Sequence, residues 1–216
     1  MNRADALRYM GAQGADQALR AALEEMAALL EARVTPRFIW REYAVETAEG
    51  GALLRDAGLL LPGEMAKRML SSCRAAALLL CTLGAGFDAL LRTWERRDMA
   101  RAVMLDACAS AYAEAGCDAA EEEIRAAHPG LYLTDRFSPG YGDLPLALQD
   151  DFLRLLAGEK RLGVQAADSH LLLPVKSVTA VIGLADTPQR ALIRGCAFCA
   201  LKENCAFRKR GTSCAV

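Results

Sequence analysis

From Ala75 to Leu83 the chain runs almost without interruption through apolar side chains, and it stops at Gly84-Ala85-Gly86. A run of that length ended by glycines suits a strand better than an independent helix, and a strand without polar alternation is covered on both faces. This one segment therefore demands a layered fold, with apolar material on each side of a sheet. The composition can supply it, since 53% of the 216 residues are hydrophobic and 25% are charged, which excludes a disordered chain. One covering element is recognisable. Asp98 to Ala127 reads as a long helix closed by His128-Pro129-Gly130, and between Ala107 and Cys117 its side chains are mostly Ala, Ser, Gly and Cys, so that another element can approach its backbone. Asp106, beside that small-residue face, reads as an outward or capping acid.

The flanking elements follow from periodicity. Leu19, Leu23, Met26, Leu30 and Val34 step by four and three behind a capping Asp16, the stripe of an amphipathic helix. Arg37 to Val45 mixes aromatic and β-branched residues with charges, as a half-exposed strand does. Gly50-Gly51 marks a turn, and Leu59 to Gly63 leads into a short helix carrying Met65, Met69 and Leu70. A helix with Phe87, Leu90, Leu91 and Trp94 follows the apolar run. Beyond Gly130 come a strand from Leu131 to Phe137, a dense turn from Ser138 to Asp143, a helix from about Pro145 to Ala157, and strands near Ser169 to Leu173 and Val178 to Leu184. Helices and strands do not alternate regularly, so the expected class is α+β with a mostly antiparallel twisted sheet packed with helices. The expected plan is a helical and strand-containing section over residues 1–72, an α+β core over 73–186 and a Cys-rich tail over 187–216.

Charge and cysteine both divide at the tail. Lys and Arg number 26 against 27 acids, so the net charge of −1 gives no reason to expect nucleic acid or an anionic membrane as partner. Residues 187–216 nevertheless carry Arg190, Arg194, Lys202, Arg208, Lys209 and Arg210 against the single acid Glu203, which makes +5 there and −6 on the rest. Cys73, Cys81, Cys108 and Cys117 lie in apolar segments and read as small buried hydrophobes. Cys196, Cys199, Cys205 and Cys214 are close enough to converge on a tetrahedral zinc or an iron–sulfur cluster, and free or redox-active thiols are the other reading. The flanking cations would stabilise thiolates or a cluster, and would equally dock an acidic partner. No run approaches a membrane span and the first residues lack the apolar core of a signal peptide, so the chain reads as cytoplasmic.

The densest chemistry in the body is Arg136-Phe137-Ser138-Pro139-Gly140-Tyr141. An arginine at a strand end offers a planar fork for a carboxylate, and the adjacent Pro-Gly turn lets a ligand approach the main chain. A hairpin turn with a surface arginine is the simpler reading of the same residues. His128 reads as a capping or solvated residue at a helix end, His170 as a packed imidazole in an apolar strand, and Glu121-Glu122-Glu123 as a solvated helix face. Walker, dinucleotide, nucleophile-elbow and His-Glu-x-x-His motifs are absent.

The run RFSPGYGDLPLALQ, with the later LLLPVKSVTAVIG and the upstream AVMLDACASAYAEA, resembles the activation (S-adenosylmethionine-binding) domain of cobalamin-dependent methionine synthase in its form as a separate small protein. The resemblance covers roughly Leu83 to Leu184, and ALRYMGAQG near the start is similar to the stand-alone forms. It implies an accessory subunit with no catalytic residue of its own, active as the reactivation component of a methyltransferase. Oxidised, inactive cob(II)alamin on the partner methionine synthase or a related corrinoid protein is reduced by an electron donor, and methyl transfer from S-adenosylmethionine then drains that reduction. Arg136 would pair with the ligand carboxylate, and Ser138, Pro139, Gly140 and Tyr141 would line the site. The chain departs from the long form in carrying Thr187-Pro188-Gln189-Arg190-Ala191-Leu192 where that form has a tyrosine pair, and Gly130 where it has an acid. The alternative is a metal- or iron–sulfur-containing redox or docking module for a corrinoid protein, without S-adenosylmethionine chemistry.

Overall fold

A computed structural model of the protein describes residues 1–190. Its centre is the apolar run, which forms β4 (Cys73–Thr82). β4 pairs antiparallel with β1 (Arg37–Ala48) on one side and β8 (Ser177–Ala185) on the other, through Ile39 opposite Leu80 and Leu80 opposite Thr179. With β2 (Gly51–Leu54), β3 (Leu59–Pro62) and β5 (Tyr132–Leu133) the sheet has six strands in the order β3-β2-β1-β4-β8-β5, every pair antiparallel. The architecture is thus α+β, and the sheet draws strands from either side of residue 72.

Side-chain alternation along β4 builds two cores. Ala76, Leu78 and Leu80 pack with Met69 and Leu70 of α3 (Glu64–Leu70) and with Phe152 and Leu156 of α6 (Leu148–Leu156). Ala75, Ala77, Leu79 and Cys81 face Cys117, Ala120 and Ile124 of α5 (Met99–Ala127). Each fully buried Leu of this set contributes about 1.5–3 kcal/mol relative to exposure. The helix can lie this close because Gly116 has no side chain: a Cβ there would meet Cys81 Sγ and Pro36 Cβ, both at 2.7 Å. A third cluster joins α1 (Arg3–Tyr9), α2 (Gln17–Arg33) and α4 (Ala85–Arg97) to the first half of α5 around Leu23, Leu30, Phe87 and Leu105. Asp16 caps α2 by accepting from the Leu19 amide at 2.8 Å, and Asp98 caps α5 by accepting from the Arg101 amide.

The structure differs from the sequence reading mainly at short elements. The stretch after Gly130 holds only the two residues of β5 and an isolated bridge at Phe137 in place of a continuous strand. Ser169 to Leu173 reduces to β7 (Leu172–Leu173), paired with β6 (Gln165–Ala166), because His170 turns the chain with φ +61°. α1, α7 (Gly158–Leu162), β2 and β3 are additional, each too short to impose a period. Cys73, Cys81, Cys108 and Cys117 are buried free thiols. Among the described residues no helix is long and apolar enough to cross a membrane.

Candidate functional site

Phe137 fixes where its neighbours point. Its backbone exchanges two hydrogen bonds with Val181 (3.1 and 2.8 Å) and its ring is buried in the α6-side core, so Arg136, one residue earlier, projects toward α5. The chain then reverses in a turn closed by the Tyr141 amide donating to the Ser138 carbonyl (3.0 Å), with Pro139 at its second position and Gly140 at φ +89° at its third, the geometry of a type II turn. A second turn closes from Leu144 to Tyr141, with Gly142 at φ +60°. Pro139 is buried beneath the loop, Ser138 is half-buried, and Gly140 and Tyr141 are exposed. The loop is pinned from below: Asp143 accepts from the amides of Glu64 (2.7 Å) and Met65 (3.2 Å) at the start of α3.

Arg136 does not lie free on the surface. Its side chain is only 10% exposed, and its two terminal nitrogens donate to Glu114, Asp118 (2.7 Å) and Glu121 of α5. Positions i, i+4 and i+7 lie on one helical face, which is why three carboxylates meet one guanidinium. Burial works against its charge, but Cys117 and the carboxylates of Glu114 and Asp118 outweigh it and hold the guanidinium above its ordinary range. One cation facing three acids leaves a local excess of negative charge. Beneath this cluster Cys117 is held well above the usual thiol range by its hydrogen bond to Cys81 and by burial.

The same face of α5 continues toward its N-terminus. Asp106, Ser110, Glu114 and Asp118 recur every four residues, and Lys176 closes the far end, 2.9 Å from Asp106 Oδ1 and donating to Ser110 Oγ at 2.9 Å. Tyr9 of α1 borders the stripe; its phenol is held up by burial and then by Glu114.

No protein-family model matches the sequence, and no curated protein matches it. Among solved structures the chain is similar to a crystal structure described as the MetH reactivation domain bound to AdoHcy, with a TM-score of 0.63 over 91% of this chain and 74% of that one, at 17% identity. This is the reactivation-domain fold. At that identity the likeness establishes the reactivation-domain architecture, and residue roles in this chain rest on its own geometry.

Within the reactivation-domain frame, Arg136, Ser138, Pro139, Gly140 and Tyr141 stay together as one loop. Asp106 is paired with Lys176, and Glu121 belongs to the Arg136 cluster with its side chain 12% exposed, which corrects its reading as part of a solvated face; Glu122 and Glu123 do lie on the exposed side. Of the missed participants, Glu114 and Asp118 left one sequence signal, polar residues every four positions on a helix otherwise made of small apolar ones, whereas Lys176, just before β8, left none. His170 is corrected as well: it sits in a turn, 39% exposed, with Nδ1 2.7 Å from Asp150. His128 ends α5 as expected, its Nε2 3.0 Å from Glu42 Oε2 and its ring edge-on to Trp40. Cys196, Cys199, Cys205 and Cys214 lie outside the described residues.

Proposed function

We propose that this protein binds S-adenosylmethionine on the face formed by the Arg136–Tyr141 loop and α5, and supports reductive reactivation of a cobalamin-dependent methionine synthase as an accessory subunit. The observation that carries the reading is a reactivation-domain fold in which one six-residue segment carries a guanidinium held on α5, an exposed glycine main chain and an exposed phenol. These groups fit the ligand's chemistry. Arg136 matches a carboxylate, Glu114 and Asp118 match an ammonium and a sulfonium, and the Tyr141 ring offers a surface to a flat purine. S-adenosylmethionine would supply the methyl group, formally as a cation, to the reduced cobalamin of the partner, leaving S-adenosylhomocysteine. Cobalamin would belong to the partner and the electron to a separate donor, and the transfer asks this chain only to bind and present the ligand.

The four tail cysteines are proposed to hold zinc or an iron–sulfur cluster in a basic appendage suited to an acidic docking partner. Calorimetry with S-adenosylmethionine tests the binding claim. Wild type should give saturable heat, and Arg136→Ala and Tyr141→Ala should weaken it; the Tyr141 change removes an exposed ring and leaves the fold intact. Equal heats from all three proteins, or none from wild type, contradict it.

A further inference from the structure

The Arg136 cluster poses a question for the proposed site, since a guanidinium already surrounded by three carboxylates has to be available to a fourth. The three partners differ in burial. Glu121 is 12% exposed, Glu114 44% and Asp118 63%, against 10% for Arg136 itself. An ion pair at an exposed carboxylate is screened by water and easily exchanged, whereas the buried pair cannot separate without leaving an uncompensated charge in the interior. We propose that Glu121 is the positioning residue of the site: it keeps the guanidinium aimed, while Asp118 and Glu114 are exchangeable partners that give way to the amino-acid head group of the ligand. The proposal rests on the S-adenosylmethionine reading above.

The exchange conserves charge. The α-carboxylate of the ligand takes the place of Asp118 on the terminal nitrogen that both Asp118 and Glu121 now share, and the α-ammonium meets the released Asp118 and Glu114 carboxylates. The two ion pairs that Asp118 and Glu114 make with Arg136 become three, one at the ligand carboxylate and two at its ammonium, with no covalent bond made or broken and no proton moved. Glu121 stays throughout, since the same nitrogen offers one hydrogen to each of two acceptors. The cluster would in this way read a zwitterion in preference to a simple anion, which the excess of acids repels.

The test compares S-adenosylhomocysteine, which has the head group, with 5′-methylthioadenosine, which lacks it, by calorimetry on wild type, Glu121→Gln and Asp118→Asn. Loss of a charge-assisted contact should make Glu121→Gln bind S-adenosylhomocysteine about tenfold or more weakly while 5′-methylthioadenosine changes less than about twofold. Asp118→Asn, which removes an exposed and screened partner of the α-ammonium, should weaken S-adenosylhomocysteine binding severalfold less than Glu121→Gln does. Wild type that binds neither compound removes the proposed function and this inference together. Wild type that binds both overturns this inference alone if Glu121→Gln matches it, if Glu121→Gln loses both ligands equally, or if Asp118→Asn loses as much as Arg136→Ala.

Discussion

The carboxylate of Asp143 accepts a hydrogen bond from the backbone amide of Glu64 at 2.7 Å, tying the end of the Ser138–Asp143 turn to the first turn of α3 across 79 residues of sequence. A second bond from the Met65 amide makes Asp143 the long-range cap of that helix, in place of a local one, since Gly63 has no side chain to offer. The loop of the candidate site therefore takes its shape partly from an element on the other side of the strand that follows.

Replacing Asp143 with alanine should remove this cap and free the loop. The expected cost is about 0.5–2 kcal/mol in urea unfolding, the range for N-cap deletions, together with weaker ligand binding. Unchanged ligand affinity in a variant destabilised by that amount would show that the cap holds α3 alone.

Gly116 is predicted to tolerate no side chain. A Cβ at that position falls 2.7 Å from both Cys81 Sγ and Pro36 Cβ, so Gly116→Val should force α5 away from the sheet and cost about 1–3 kcal/mol or more. Equilibrium unfolding measures this directly, and stability equal to wild type would contradict the packing described for α5 on β4.

The N-terminal helices should loosen in acid. Glu31 receives Arg3 and the N-terminal ammonium, and its hydrogen bond with Arg3 lowers its carboxyl from 4.5 to about 2. A folded value below the unfolded one means that the contribution is fully present above about 4.5 and disappears as the pH falls toward 2. The stability difference between wild type and Glu31→Gln should accordingly be largest at neutral pH and shrink across that window. A pH-independent difference would assign it to packing.

Thiol chemistry should separate body from tail. Burial pushes Cys73 and Cys108 up to about 11, and Cys81 and Cys117 are fully buried. In the native protein a thiol reagent should leave these four unmodified. Metal-binding tail cysteines would react only after chelation or acid treatment, with zinc or iron and sulfide recovered in proportion. Four immediately reactive thiols in protein purified without air would instead favour free tail cysteines.

The parts of the fold that repeat a period over many residues could be read directly. β4 was readable because nine positions of nearly continuous apolar sequence ending at Gly84-Ala85-Gly86 admit few structures, α2 and α5 because they are long and capped, and the Ser138–Asp143 turn because Pro and Gly impose specific dihedrals. What was not readable depends on partners distant in sequence. Glu121 looks like any solvated helix acid until Phe137, by pairing with Val181, aims Arg136 at it. Lys176 and Asp106 likewise meet only because β8 lies where its pairing with β4 puts it. His170 sits among leucines, yet a left-handed turn and Asp150 draw it to the surface.

The most direct test of the account uses inactive cob(II)alamin methionine synthase that lacks its own reactivation domain, mixed with a reductant and this protein, with and without S-adenosylmethionine. The account predicts that activity returns only when both this protein and S-adenosylmethionine are present, and that Arg136→Ala abolishes the recovery. Recovery of equal extent without S-adenosylmethionine, or none with all components supplied, would contradict it.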